Sequence, residues 1–263
     1  MIILLIIILV FIAVSIYFRS PKVKGEISEQ YLLRKINKKS LFSYGGKTLS
    51  NIYIPKSSGD TSEIDIIYIT RKGIFVFENK NYAGYIFGNE ESKNWTVTLY
   101  AGKSYLGKNI VEKHRFYNPI WQNNSHIKYL KKYLNIKTNI FSLITFSDRG
   151  DLMNINVTSQ NVYICNHCYV SKVIRNIWNS NPDVLNESEI NLIYNKLLPL
   201  TNKTKAEKIQ HIQNIHHRFN NTNICPACGG KLILRTAKKG STAGNNFYGC
   251  SNYPKCRYTK NIY

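Results

Sequence analysis

The chain has 263 residues, 43% of them hydrophobic. That suffices for one good-sized core with a small appended module, and it excludes a disordered chain. A formal charge of +21 excludes a surface built for cationic partners and points to polyanions, either nucleic acid or anionic lipid head groups. A codon bias toward Lys, Asn and Ile would spread charge evenly, yet residues 201–263 hold eleven Lys or Arg and one acid, Glu207. Four of the six cysteines fall in the last forty residues, where their spacing suits a metal rather than a disulfide framework, so a reducing compartment is expected.

Residues 1–18, MIILLIIILVFIAVSIYF, form an apolar run at the lower limit for crossing a bilayer, and are read as a transmembrane anchor. A cleaved signal peptide would carry a basic n-region and a small-x-small cleavage site, and neither is present. Arg19, Lys22 and Lys24 follow the run and no basic side chain precedes it. The positive-inside rule then places the C-terminal domains in the cytoplasm, on a single-pass protein of the cell membrane.

A helix is predicted next, capped by Ser28 and closed by Gly45-Gly46, with Glu29, Leu32, Leu33 and Ile36 on one face. Leu49–Ile54 reads as a strand. EIDIIYIT and IFVFENKN, joined at Arg71-Lys72-Gly73, read as a hairpin of two buried strands. Alternation places Ile74, Val76, Glu78 and Lys80 on one face and Phe75 and Phe77 on the other. Gly84–Gly88, Trp95–Tyr100, Asn139–Phe146 and Val162–Cys165 are further predicted strands. Asn118-Pro119 opens a helix with Asn123, Ile127, Leu130 and Leu134 along one stripe, and residues 169–180 and 186–198 are predicted helices. The order is that of an α/β domain.

Charged residues inside buried strands need compensation. For Asp65, Glu78 and Lys80, one reading is an internal Glu78–Lys80 salt bridge with Asp65 at a strand edge. The other is a divalent metal site, in which two carboxylates a hairpin apart hold Mg²⁺ or Mn²⁺ and a lysine on the same face stabilises the attacking hydroxide or the transition state. His114, His126 and His167 are read as structural or surface residues, and Cys165-Asn-His-Cys168 as ordinary thiols without a second pair.

Asp65 followed by Glu78-Asn79-Lys80 resembles the core of restriction-endonuclease-like nucleases. More closely, residues 25–135 resemble the nuclease-related domain, NERD. The matching residues are Gly25…Glu29, Glu63-Ile64-Asp65, Gly73 through Glu78-Asn79-Lys80, Gly84…Gly88, Trp95, and Asn118-Pro119…Gln122…His126. The resemblance implies a mixed sheet flanked by helices and an active-site set of Glu29, Asp65, Glu78 and Lys80, with Gln122 assisting. Ser28 stands where the family usually has Gly before the helix Glu, which leaves Glu26 as a rival for the role of Glu29. Residues 136–199 would complete the α/β domain, and the polar stretch 200–223, with His211, His216 and His217, would be a linker.

The last module, 224–263, places Cys225-Pro-Ala-Cys228-Gly-Gly before Cys250 and Cys256. Two thiolate pairs clasp one Zn²⁺ tetrahedrally, and so short a segment needs the ion to fold. It resembles the four-cysteine zinc ribbons of type I topoisomerases, which implies single-stranded DNA binding. Nothing else in the chain matches the catalytic toroid of those enzymes. Lys231, Arg235, Lys238, Lys239, Lys255 and Arg257 interleave with Phe247, Tyr248, Tyr253 and Tyr258, a pattern of cations for phosphates and rings for bases. The alternative is that the rings form a miniature core. The expectation is a membrane-anchored, metal-dependent nuclease with a nucleic-acid-gripping ribbon. A non-catalytic DNA-binding or tethering protein, and a protein-interaction ribbon on a membrane scaffold, are the other readings.

Overall fold

The computed structural model describes residues 20–37, 45–56, 60–103, 109–201, 224–225, 227–237 and 244–261, with isolated positions at 11, 15–18 and 213. Most of the predicted anchor at 1–18 and of the predicted linker at 200–223 lies outside these residues, as do His211, His216, His217, Lys238 and Lys239. Among the described residues, no helix is long and apolar enough to cross a membrane.

The elements are α1 (Pro21–Ile36), β1 (Lys47–Pro55), β2 (Thr61–Thr70), β3 (Gly73–Lys80), β4 (Gly84–Asn89), β5 (Asn94–Lys103) and β6 (Asn109–Tyr117). Then come α2 (Pro119–Leu134), β7 (Ile140–Phe146), β8 (Gly150–Asn156), β9 (Val162–Asn166), α3 (Val170–Ser180), α4 (Glu187–Leu197), β10 (Leu232–Thr236), β11 (Asn246–Cys250) and β12 (Thr259–Asn261).

The main sheet has the order β1-β2-β3-β7-β9, antiparallel from β1 to β3 and parallel from β3 to β9. Helices cover both faces, so β2 and β3 are nearly continuous apolar runs. Ile74 and Val76 face α2 and α4 in a core with Leu130, Leu134, Ile190 and Leu197. Phe75 and Phe77 face α1 and α3 in a second core with Leu32, Ile36, Phe141 and Ile174. The alternation read from the sequence therefore describes β3 correctly. At the hairpin turn Gly73 has φ +129°, and a side chain there would run into the Asn139 carbonyl.

The meander strands do not join that sheet. They form a second one, β6-β5-β4-β8, packed through a third core of Ile86, Trp95, Val97, Ile120, Ile144 and Phe146. Gly88 lies under the Trp95 indole, where a Cβ would collide with the ring. Its edge strands β6 and β8 were not apparent in the sequence. Both alternate weakly and bury little, so they lack the apolar period that marks a half-buried strand.

The first helix differs from expectation at both ends. It starts at Pro21, with Ser20 as N-cap accepting from the Val23 amide at 3.3 Å. Ser28 lies in mid-helix and is buried, and the buried stripe is Val23, Ser28, Leu32 and Ile36, with Glu29 half-buried at its edge. The helix ends at Ile36, where the Asn37 amide bonds to the Leu33 carbonyl, well before Gly45-Gly46.

Asn118 joins α2 to the turn between β4 and β5. Its Oδ1 caps α2 by accepting from the Ile120 amide at 2.9 Å, and its Nδ2 donates to the carbonyls of Glu90 at 2.9 Å and Ser92 at 2.7 Å. The side chain is fully buried. Asn118→Ala removes a helix cap and strands buried carbonyls, and is expected to cost about 2–4 kcal/mol in a urea unfolding curve. A loss within ±0.5 kcal/mol would show that the joint carries no load.

Candidate active site and zinc centre

Glu78 is 1% exposed on the central strand β3. Burial raises its pKa, but Lys80 and His126 outweigh burial and hold the carboxyl below its usual range. Lys80 Nζ lies 2.7 Å from Glu78 Oε1 and also donates to Gln122 Oε1 at 3.0 Å. Burial alone would lower Lys80; Glu78 more than restores it, so the lysine stays charged. His126 Nε2 is 3.2 Å from Glu78 Oε2 but is not aligned as a hydrogen bond, so that contact is one of proximity and Oε2 keeps an unused acceptor direction. His126 Nδ1 is within 2.7 Å of Ser62 Oγ.

Asp65 lies one residue beyond the Ile66–Phe77 pair of the hairpin, and its Oδ2 accepts from the Asn79 amide at 2.8 Å. Burial pushes its pKa well above the usual carboxylate range, and Glu78 and Glu29 push it further. Glu29 reaches the same field from α1. Burial, then Glu63, Glu26 and Glu78, raise its carboxyl from 4.5 to about 7. Glu26 is exposed and acts on Glu29 alone among the three. The structure thus brings together Glu29, Asp65, Glu78, Lys80 and Gln122 from α1, β2, β3 and α2.

The Glu78–Lys80 bridge of the first reading is present, and it does not use up the site. Asp65 and Glu29 remain crowded by like charge, and Glu78 Oε2 is an under-used buried acceptor. Such a set suits a hard divalent cation with oxygen ligands. Among the described residues, though, the only group of three or more close enough to enclose an ion is the cysteine cluster. Asp65 and Glu78 would hold a cation as two ligands, with water completing its shell.

Two parts of this site go beyond the sequence reading, which gives His126 and His167 only as structural or surface residues, with His126 also in the family match. His126 and Ser62 extend the Glu78 contacts. The hint was spacing, since His126 follows Gln122 by one helical turn. Behind the strand, Asn79 Nδ2 donates to Ser28 Oγ at 3.0 Å, and Asn79 Oδ1 accepts from His167 Nε2 at 2.7 Å and Thr145 Oγ1 at 3.3 Å. Burial lowers His167 to about 4, so it is a neutral donor near pH 7. No local pattern marked this network, because its members come from four elements. His114 is exposed on β6, beside Glu112 at 3.5 Å. Cys165 is buried in the α1–α3 core and Cys168 is exposed.

In the ribbon, the four Sγ atoms lie within 4.8 Å of one another. Cys225 and Cys256 are 3.7 Å apart and Cys228 and Cys250 3.3 Å, near the roughly 3.8 Å edge of a tetrahedral thiolate site with Zn–S of about 2.3 Å. The first knuckle turns at Gly229, φ +74°, whose amide bonds to the Cys225 carbonyl. The Asn252 amide and Nδ2 approach Cys250 and Cys228 at 3.4 and 3.5 Å. The residues fit a structural zinc ion.

The predicted contact residues of the ribbon divide. Tyr248 and Tyr258 pack against its cysteine-and-leucine core, so for those two the miniature-core alternative describes their place. Tyr253 is 61% exposed, with Arg235 stacked over its ring at 5.7 Å. Phe247 pairs across the strand with Arg235, and Lys231 and Lys255 are exposed. Arg257 pairs with Glu91 at 2.5 Å, so part of its charge is spent on the nuclease-like domain. Lys93 lies 4.3 Å over the Tyr258 ring and donates to the Thr259 carbonyl, and Tyr129 Oη donates to the Cys228 carbonyl at 3.3 Å. The ribbon is docked on the domain, which its distance along the chain did not suggest.

Comparison with known proteins gives the same two modules. The nuclease-related domain family matches residues 24–147, and the topoisomerase DNA-binding C4 zinc finger matches residues 222–263. An uncharacterized protein of Bacillus anthracis is 31% identical over 200 residues, 76% of this chain and 87% of that protein. DNA topoisomerase 1 of Methanocaldococcus jannaschii is 59% identical over 39 residues, 15% of this chain and 4% of that enzyme. DNA topoisomerase 1 of Helicobacter pylori strain 26695 is 54% identical over 63 residues, 24% of this chain and 8% of that enzyme. The similarity to topoisomerases is thus confined to the C-terminal part of the chain. No solved structure matches. With most of its length shared with the Bacillus protein and with both modules matched, the chain belongs to the nuclease-related domain (NERD) family and ends in a topoisomerase-type C4 zinc ribbon.

Proposed function

We propose that this protein is a membrane-anchored, metal-dependent nuclease of the restriction-endonuclease-like superfamily, hydrolysing phosphodiesters of DNA with its ribbon gripping a single strand. The observation that carries the reading is the buried Glu78, charged and bracketed by Lys80, beside a protonation-prone Asp65. A purely structural pair would have no need of the uncompensated carboxylates at Asp65 and Glu29 next to it.

In this reading Asp65 and Glu78 would hold Mg²⁺ or Mn²⁺, and the chemistry such an ion would supply when bound is activation of a water and neutralisation of phosphate charge. Lys80, kept cationic by Glu78, stabilises the developing negative charge. Gln122 fixes the ammonium by accepting from Nζ. Glu29, with a pKa near 7, can take up a proton at neutral pH, which suits a general base. His126 lies 3.2 Å from the far oxygen of Glu78, whose open acceptor direction is left for the cation. The main alternative, a DNA-tethering protein without chemistry, draws its support from the ribbon alone.

The anchor rests on the apolar run 1–18 and the cytoplasmic orientation on Arg19, Lys22 and Lys24. A reporter fused after Tyr263 is expected to be active only inside the cell, and the protein to sediment with membranes. Activity outside the membrane, or a soluble protein, would remove this part of the reading.

Chemistry is tested with isosteric variants, since Glu78→Ala would leave Lys80 buried and unpaired. Glu78→Gln and Asp65→Asn are expected to lower metal-dependent cleavage by at least about a thousandfold, and Lys80→Met, which keeps the side chain's length, by roughly 10²–10³. Undiminished cleavage by Glu78→Gln would place the active site elsewhere.

Linkage gives a second readout. Glu29 has a folded pKa of about 7 against 4.5 in the open chain, so the folded state binds its proton more tightly. Stability is full below pH 4.5 and falls as pH rises toward 7. Glu29→Gln escapes that loss. Its melting temperature is expected to match wild type near pH 4 and exceed it above about pH 7. Added Mg²⁺ should narrow the gap by stabilising the wild-type charge. Parallel pH profiles for the two proteins would refute the burial of Glu29.

A further inference from the structure

The docked ribbon creates a cleft that neither module has alone. Tyr117, Trp121, Ser125 and Lys128 line one wall, and Lys255 and Arg257 the other. It encloses about 230 Å³, less than the roughly 300–1,000 Å³ of pockets that surround whole small molecules. That size suits one unit of a chain that enters and leaves. No acid is among its lining residues. Glu91, the nearest acid the ribbon contacts, is taken by Arg257, and the Glu90 carboxylate accepts from the amides of Thr158 and Ser159. Lys128 and Lys255 are exposed on opposite walls. Trp121 between them is held by its Nε1 bond to the Glu90 carbonyl at 2.8 Å and by an edge contact with Tyr117. A fixed indole flanked by two cations is the combination that binds a strand by stacking and backbone neutralisation.

The position of the cleft links it to the active site. Trp121, Ser125 and Lys128 follow one stripe of α2, while Gln122 and His126 follow another. At 3.6 residues per turn the stripes are about a third of the circumference apart, on a helix of roughly 10–12 Å diameter. The cleft therefore lies about that breadth from Gln122 and His126, the α2 residues that contact Lys80 and Glu78.

We propose that the seam between the zinc ribbon and α2 is a binding cleft for single-stranded nucleic acid, holding phosphates with Lys128 and Lys255 while a base rests on Trp121, and feeding the strand to the carboxylate site. The feeding step rests on the nuclease reading; the binding step does not.

The test uses the full chain in detergent, carrying Glu78→Gln so that no cleavage intervenes, and a short fluorescein-labelled oligothymidylate read by anisotropy across a salt series. Lys128→Ala with Lys255→Ala is expected to weaken binding roughly tenfold and to reduce the slope of log K against log salt by about 1.4, two phosphates at about 0.7 each. Lys172→Ala with Arg175→Ala, the same charge change on α3, is expected to leave both unchanged. Trp121→Leu should weaken binding roughly 5- to 150-fold, and Trp121→Phe, which keeps a stacking ring, much less. Equal losses in the α3 control and the cleft variant would mean diffuse attraction and overturn the proposal, as would wild-type binding by the Lys128/Lys255 variant. If cleft variants lose binding while the otherwise wild-type chain shows no metal-dependent cleavage, the cleft stands and the nuclease reading falls. If cleavage occurs but cleft variants bind as wild type, the cleft alone falls.

Discussion

The arrangement depends on one costly act, the burial of the Glu78 carboxylate in the middle of an apolar sheet. A buried charge must be paired or it neutralises. Lys80 meets that demand from the same face of the same strand, two residues on, with His126 close to the other oxygen from α2, and Gln122 on α2 in turn accepts from Lys80. The helix cannot drift from the strand without breaking the bond from Lys80 to Gln122. Asn118 sets where that helix begins, by capping it and binding the loop before β5. The position of the site is thus fixed by polar requirements, while the two apolar cores fix the layers around it.

The middle residue of the Glu-Asn-Lys run has a separate task. Its amide binds Asp65 on one side of the strand, and its side chain binds Ser28, Thr145 and neutral His167 on the other. The division follows from strand geometry, since a backbone amide points within the sheet toward the adjacent strand while the side chain projects from its face. α1, which brings Glu29, is tied to the same strand through Ser28. The strand that carries Glu78 and the helix that carries Glu29 are therefore tied through the Asn79 side chain by neutral hydrogen bonds, which do not weaken as those acids titrate.

The ribbon adds a small fold organised by sulfur. Its core is two buried cysteines and one leucine with Tyr248 and Tyr258 packed against them, too little apolar surface to fold without the metal. Its contacts with the larger domain are polar or cation–π: Lys93 with Tyr258, Arg257 with Glu91, and Tyr129 with the first zinc knuckle. Aromatics that read from the sequence as base platforms are partly spent on this docking and on the miniature core. Trp121 and Lys128, which lie off the helix stripe of Asn123, Ile127, Leu130 and Leu134, face the ribbon.

The sequence by itself determined the elements with strong apolar periods. These are the β2–β3 hairpin and the two faces of β3, α2 with its Asn-Pro start, and β7, β9, α3 and α4. It also determined the zinc ligands, because thiolate spacing in a short loop leaves few other uses for four cysteines. The carboxylates and lysine of the site were visible because charge inside an apolar run is costly and so conspicuous. Only the tertiary structure decided the rest. Solvent-facing edge strands β6 and β8 carry no apolar period, and the helix at Pro21 begins at a cap that the Ser28 pattern obscured. The pairing of Glu78 with His126, the Asn79 network and the ribbon cleft join residues tens of positions apart. Local propensity is silent on such pairs, because their energy exists only once the sheet, the helices and the metal knuckles have been brought together.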